Sequence, residues 1–413
     1  MIVEAHYQKD CLPQRYVGNP LIEALPQIKP PVEATMELAN LPQIDLGKSR
    51  ALADYLRVYD IDTIDELYMP PPVAFELTPI VDQMIREGYV GRNPFHVPTQ
   101  ARLYQTAELL KLQKAHTDPL QGMLSLEGHS GMGKTRLVRT ILRSFPQSIR
   151  HKLHEGKTFN QTQIAWLSVD APIGGSIKGL LLRLLSELDA AVGQAGSPTS
   201  YETVHANSSI DKLIGVFAQA AATHFLGILH IDDLQRVTES NTGRKLVVQT
   251  MIQLANVLKC PVIFSGTPET MELLGETFEV ARRTTKNGSF TLSRPLSSED
   301  PFFARLFKEA MRYQWLDQPI NPTPELRNQL YQMSAGITSV FLFLHKQAQK
   351  YALSKGDKEL KFAHYTQVYR ARLKPLRKAL NELRKGGPNG AQQFEEFLVS
   401  MKEKKIDMFG EAN

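Results

Sequence analysis

The segment Gly128-His129-Ser130-Gly131-Met132-Gly133-Lys134-Thr135 constrains the fold of this chain more than any other. It satisfies the spacing G-x-x-x-x-G-K-[ST], directly after an apolar run, Gly122 to Leu126, and directly before a stretch of helical periodicity, Lys134 to Phe145. Glycines let such a loop wrap its backbone N–H groups around phosphate oxygens. The helix that follows adds unsatisfied N-terminal donors and the positive end of its dipole. Lys134 then reaches the β- and γ-phosphates, and the Thr135 hydroxyl is placed to coordinate Mg²⁺. The expected ligands are ATP and Mg²⁺, held by Gly128, Gly131, Gly133, Lys134 and Thr135. A strand, loop and helix in this order belong to an α/β domain with a parallel sheet.

Further apolar runs at Ile164 to Val169, Gly227 to Ile231 and Pro261 to Ser265 read as buried strands of that sheet. Helices are expected at Ile177 to Val192, Ile210 to Phe225 and Arg244 to Leu258. The run Leu213 to Ile231 carries no formal charge for 19 residues, close to a membrane span in length. It contains Gln219, Thr223, His224 and His230, however, and closes on Asp232-Asp233, so it reads as a helix end entering a strand, and no membrane segment is expected.

The two carboxylates at that strand tip form the second half of the site. Asp232 is expected to contact Mg²⁺ and Asp233 to orient the attacking water. Glutamate is commoner at the second position, and the shorter Asp233 predicts slow hydrolysis. Between Lys134 and Asp232 lie 97 residues, room for the extra strand that Ile164 to Val169 supplies. This favours P-loop ATPases with an inserted strand over simple nucleotide kinases. At the end of the next strand, Ser265 or Thr267 is placed to sense the γ-phosphate, with Thr267 preferred. Arg282-Arg283 follows the helix-like Thr270 to Ala281 and supplies either an arginine finger for a neighbouring subunit's nucleotide or a surface pair facing solvent or DNA.

Around this core the texture changes twice. Residues 1–100 hold 12 of the 25 prolines, which predicts an irregular N-terminal extension, with short helices at Lys48 to Val58 and Thr78 to Glu87. The α/β core is expected over 101–295. Strand signals fade beyond Arg294, and helices at Ser298 to Trp315, Pro324 to Ser334 and Ser339 to Ser354 point to a small α-helical lid over 296–368. The tail, 369–413, opens with seven basic residues and one acidic residue between Arg370 and Lys385, and Leu373, Leu376, Leu380 and Leu383 form an apolar stripe. That stripe either docks on a partner or packs on the lid. The net charge, 48 − 43 = +5, permits a polyanionic partner without requiring one. Cys11 and Cys260 are too few for a disulfide framework, and the opening MIVEAHYQKDCLPQ lacks the apolar core of a leader, so a cytoplasmic location is expected.

With these residues in place, the chain resembles the AAA+ ATPases of DNA transposition, the TnsC and TniB proteins and more distantly MuB. The resemblance rests on Gly18-Asn-Pro-Leu-Ile-Glu-Ala-Leu-Pro26, Ile85-Arg-Glu-Gly-Tyr-Val-Gly-Arg-Asn-Pro94, Phe264-Ser-Gly-Thr-Pro-Glu269 and Ala281-Arg-Arg283, in that order along the chain. It implies an ATPase that assembles head to tail on double-stranded DNA, as a homo-oligomer or helical filament, and links a TniQ-type target selector to transposase subunits. By the same analogy, DNA contacts fall on channel-facing loops, for which Lys152, Lys157 and Lys178 are candidates. Gly336-Ile-Thr-Ser339 lacks the arginine that many AAA+ lids carry there. Two other readings stay open: an ATP-gated scaffold with negligible hydrolysis, and an origin-binding or helicase-loading AAA+ protein.

Overall fold

The computed structural model describes residues 2–99, 122–172, 176–234, 260–268 and 287–385, together with residues 250, 254, 258 and 394. In chain order the strands are β1 (Ile2–Glu4), β2 (Met123–Gly128), β3 (Ser148–His154), β4 (Lys157–Ile164), β5 (Trp166–Asp170), β6 (Ile228–Asp232), β7 (Val262–Gly266) and β8 (Ser289–Leu292). Five of them form one sheet in the order β5-β6-β7-β2-β8, with β5, β6, β7 and β2 parallel. β6 and β7 are buried along their whole length, as strands covered by helices on both faces must be. The fold is therefore a P-loop α/β fold of the AAA+ type, a parallel sheet flanked by helices. The strand expected from the 97-residue spacing is β5, but it stands outside β6; β7 is the strand that separates β2 from β6.

The described residues group into two compact units. The first comprises Met1–Thr35, Val73–Glu127 and Lys134–Thr291. Its longer helices are α1 (Ala74–Val90), α2 (Lys134–Leu142), α3 (Ile177–Ala191) and α4 (Ile210–Thr223). Leu180, Leu184 and Leu188 of α3 and Leu213 and Phe217 of α4 recur at four-residue spacing and bury against Leu229, Ile231, Val262 and Phe264 of β6 and β7. Each such side chain contributes about 1.5–3 kcal/mol by leaving water. Ser176 and Ser209 cap the two helices, their hydroxyls accepting from the N–H groups of Gly179 and Lys212. The uncharged run thus ends as α4 and resumes as β6, and among the described residues no helix is long and apolar enough to cross a membrane.

Helix α1 extends the expected Thr78 to Glu87 helix at both ends. It is tied into this unit by buried polar groups: the Tyr89 hydroxyl donates to the Phe225 carbonyl at 2.9 Å, and Arg86 donates to the Pro26 carbonyl at 2.6 Å. A second sheet, β1-β3-β4, is built on the hairpin of β3 and β4, which the sequence reading did not anticipate. Its two-residue turn, Glu155-Gly156, has both φ angles positive (48° and 77°), matching the twist of the flanking strands. β1 adds to β3 in parallel.

The second unit comprises Met36–Pro72, Gly128–Gly133 and Leu292–Asn413. Its longer helices are α5 (Pro301–Ala310), α6 (Pro324–Ser334), α7 (Thr338–Ser354), α8 (Phe362–Ala371) and α9 (Arg377–Lys385). Asp300 and Thr323 cap α5 and α6, each followed by proline at the first helical position. Residues 36–72 belong to this unit. The expected Lys48 to Val58 helix is two helices, Leu46–Arg50 and Asp54–Asp60. Buried Arg57 donates to the Trp315 carbonyl at 3.1 Å and to Asp317 at 3.0 Å, and Arg50 donates to the Gln314 carbonyl at 2.6 Å. The leucine stripe of the tail is buried, with Leu373, Leu376 and Leu380 fully covered. The expected helices Arg244 to Leu258 and Thr270 to Ala281 lie outside the described residues, apart from Thr250, Leu254 and Leu258.

Each unit contains a buried neutral histidine whose ring sets an acid limit on stability. His151 lies between the Tyr7 hydroxyl and the Gln163 amide, both at 2.8 Å, and His345 lies between the Tyr365 hydroxyl at 2.8 Å and the Tyr313 carbonyl at 3.0 Å. Burial pushes each down to about 4. An unfolded chain takes up these protons near pH 6.5, whereas the native chain takes them up only near pH 4, so acidification through that window favours unfolding. Each ring costs roughly 1.4 kcal/mol per pH unit once below 6.5. Thermal unfolding should therefore show a clear fall in Tm from pH 7 to pH 5; an unchanged Tm would contradict the assignment.

Candidate functional site

The phosphate-binding loop runs from the end of β2 to the start of α2. Gly133 adopts φ +98°, a conformation that L side chains rarely adopt, and Gly131 adopts φ +80°. Gly128 is required for a different reason: a Cβ there would lie 2.8 Å from the Leu292 carbonyl oxygen. The Gly131 carbonyl accepts from the N–H of Ser339 at 3.4 Å, so the Gly336 to Ser339 segment, which has no arginine, meets the loop through backbone. At the start of α2, Lys134 is buried. Leu137, Val138, Ile141 and Leu142 form the buried face of the same helix and fix its first turn.

Thr135 and Asp232 meet directly. The Thr135 hydroxyl donates to one oxygen of the Asp232 carboxylate, and the Ser265 hydroxyl donates to the other. Asp232 is 1% exposed. Burial pushes its carboxyl up, but His230, the two hydroxyl donors and the N–H of Asp233 together outweigh that effect and hold it below the ordinary carboxylate range. A cluster of hard oxygen donors, one ionised carboxylate beside one hydroxyl, fits a divalent cation that keeps most of its own water, as Mg²⁺ does. Asp233 follows in a left-handed backbone conformation, φ +51°, which turns the chain away from β6 and leaves its side chain half-buried. Thr267 is buried one position past β7.

Behind Asp232 lies a row of polar side chains. His230 points the same way as Asp232, two residues along β6. Its Nε2 lies 2.8 Å from the Ser265 hydroxyl, and its Nδ1 lies 2.9 Å from the hydroxyl of Ser168, its partner in β5. Arg139 of α2 donates to Ser168 at 3.2 Å and to Asp170 at 2.5 Å. In the sequence this row shows as His230, a polar residue inside an otherwise apolar run, and Ser265 at the end of the next strand. Ser265, one of the two γ-phosphate sensor candidates, bonds to Asp232.

The three lysine candidates sit on other elements. Lys152, on β3, is exposed and pairs with Glu4 at 3.0 Å. Lys157, at the start of β4, lies 5.5 Å from the ring centre of Phe95. Lys178 is half-buried in the first turn of α3. Arg282 and Arg283 lie outside the described residues.

Residues 117–274 match the family model of the AAA domain. No curated protein matches the chain. Among solved structures, the chain is similar to the ORC1 protein of Aeropyrum pernix in complex with DNA, at 13% identity, covering 73% of this chain and 78% of that chain with a TM-score of 0.41. It is also similar to Cdc6p of Pyrobaculum aerophilum, at 10% identity, covering 77% and 92% with a TM-score of 0.39. A third is domain III of the Thermotoga maritima replication initiation protein DnaA, at 14% identity, covering 66% and 91% with a TM-score of 0.35. The matched segment contains the glycine loop and the strands β2, β5, β6 and β7, so the AAA-domain match and the parallel sheet fall on the same residues.

Proposed function

We propose that the chain is an ATP-hydrolysing regulator of DNA transposition, one that assembles head to tail on double-stranded DNA and joins a TniQ-type target selector to transposase subunits. The observation that carries the ATPase part is the contact of Thr135, next to the glycine loop in the chain, with the buried Asp232. The transposition part rests on the ordered sequence resemblances. In this reading the loop backbone and Lys134 bind the triphosphate, and Thr135 and Asp232 hold Mg²⁺. Held there, a divalent cation would supply positive charge to offset the negative charge that develops on the phosphate oxygens. Asp233 orients the attacking water, Thr267 in preference to Ser265 senses the γ-phosphate, and Arg282 or Arg283 reaches the nucleotide of the next subunit. A head-to-tail contact that does not close gives a filament, with nucleotide at each contact controlling assembly.

A specific observation favours one alternative, an ATP-gated scaffold with negligible turnover. Asp233 is one methylene shorter than glutamate and leaves the strand in the left-handed region. Steady-state phosphate release, with and without duplex DNA, separates the two readings. An ATPase gives release well above a Lys134→Ala control, which should lose on the order of 10²–10³ in rate. Asp233→Glu should raise turnover about tenfold or more by bringing the carboxylate closer to the water. Release from the wild type equal to that of Lys134→Ala would remove the enzyme assignment.

Two further outcomes are expected. Subunits with Arg282→Ala or Arg283→Ala, mixed with Lys134→Ala subunits, should recover ATPase activity through mixed contacts; a full rate from both arginine variants alone would eliminate the finger. Replacing Lys152, Lys157 and Lys178 by glutamate should weaken duplex binding uniformly across sequences and flatten its salt dependence by roughly one unit of slope per lost phosphate contact. Filaments on duplex DNA with a non-hydrolysable nucleotide, seen by electron microscopy, would support the assembly. A protein monomeric on DNA under every nucleotide condition would refute it.

A further inference from the structure

The polar row behind Asp232 has a direction that proton counting fixes. An ionised carboxylate only accepts, so Thr135 and Ser265 must each donate their single hydroxyl proton to Asp232. Ser265 then has no proton left for His230 and must accept one, which requires N–H at His230 Nε2. Ser168 accepts from the Nε–H of Arg139 and so keeps its own proton for the other edge of the ring, which leaves Nδ1 bare. The donors thus run one way, from Arg139 through Ser168, His230 and Ser265 to Asp232. They link α2, β5, β6 and β7, and Arg139 is itself anchored on Asp170.

We propose that His230 is a positioning residue: its Nε2–H tautomer holds the Ser265 hydroxyl on Asp232 and so keeps that carboxylate aligned with Thr135 for the metal. The proposal rests on reading Asp232 and Thr135 as the metal side of a nucleotide site. An imidazole suits the task because it receives at one edge and donates at the other, about one ring width away, which a hydroxyl or a lysine cannot do. Without it, the Ser265 hydroxyl can rotate away from Asp232, and the carboxylate loses one of the two donors that fix its orientation.

Two substitutions separate the ring's two edges. His230→Gln places an amide near the position of Nε2 and keeps a donor for Ser265. His230→Asn places one near Nδ1, keeps the Ser168 contact and abandons Ser265. The readout is the Mg²⁺ concentration that half-saturates binding of a fluorescent ATP analogue to the full chain. It should rise about tenfold in His230→Asn, the loss of one hydrogen bond to a charged group, and stay within about twofold in His230→Gln. Ser265→Ala should reproduce His230→Asn and Ser168→Ala should not, which keeps the test valid if a histidine variant fails to fold. Long-range ¹H–¹⁵N NMR of the ¹⁵N-histidine-labelled protein, with the His230 signal assigned by its absence in His230→Gln, should show the Nε2–H tautomer before any ligand is added.

Equal effects of the asparagine and glutamine variants, or an Nδ1–H ring, would overturn the relay while leaving the nucleotide site in place. Failure of the wild type to take up the analogue at any Mg²⁺ concentration would instead refute the site reading, and with it the role assigned to His230.

Discussion

The buried carboxylate of Asp232 is the constraint on which the site depends. An ionised group at 1% exposure costs several kcal/mol in lost hydration unless donors replace the water. Two hydroxyls and a backbone N–H do so here, each hydrogen bond to the charged group offsetting about 1.5–3 kcal/mol. The donors come from different elements: Thr135 from α2, Ser265 from β7 and the N–H from the turn after β6. The carboxylate is satisfied only when helix and strands are in register, so folding of the sheet and formation of the site are one event.

Much of this was legible in the sequence because the relevant signals are local. The glycine loop, the apolar runs that became β2, β5, β6 and β7, and the leucine spacing of α3 and α4 each fit within a short window, and the structure differs from them by a residue or two at most boundaries. What was not legible has a common physical cause: buried positions occupied by polar residues. On β3 and β4 the inward side chains include His151, His154 and Gln163, which destroys the apolar alternation that marks a strand. They are tolerated because long-range partners satisfy them, His154 with Glu23 at 2.7 Å and Gln163 with the Leu21 carbonyl at 2.9 Å. No local window contains both members of such a pair. Arg57 hides residues 36–72 in the same way, since a buried arginine reads as surface until Trp315 and Asp317 are seen beside it.

The proline-rich residues 2–99 are mostly short helices and turns, and side chains hold them. Tyr89 and Arg86 anchor one stretch in the α/β unit, and Arg50 and Arg57 anchor another in the helical unit, in each case by donating to backbone carbonyls that would otherwise be left bare. Side chains here do what a continuous hydrogen-bond ladder does elsewhere.

The pairing of β1 with β3 has a practical side. Three residues, Ile2 to Glu4, close one border of the small sheet, and Lys152 fastens the last of them through its ammonium group. Trimming that strand would leave the peptide groups of Ser148 to Arg150 without their neighbour, a ready template for foreign chains. Clipped preparations should therefore be prone to clumping well before either compact unit loses its fold, and tags are better placed at the opposite terminus.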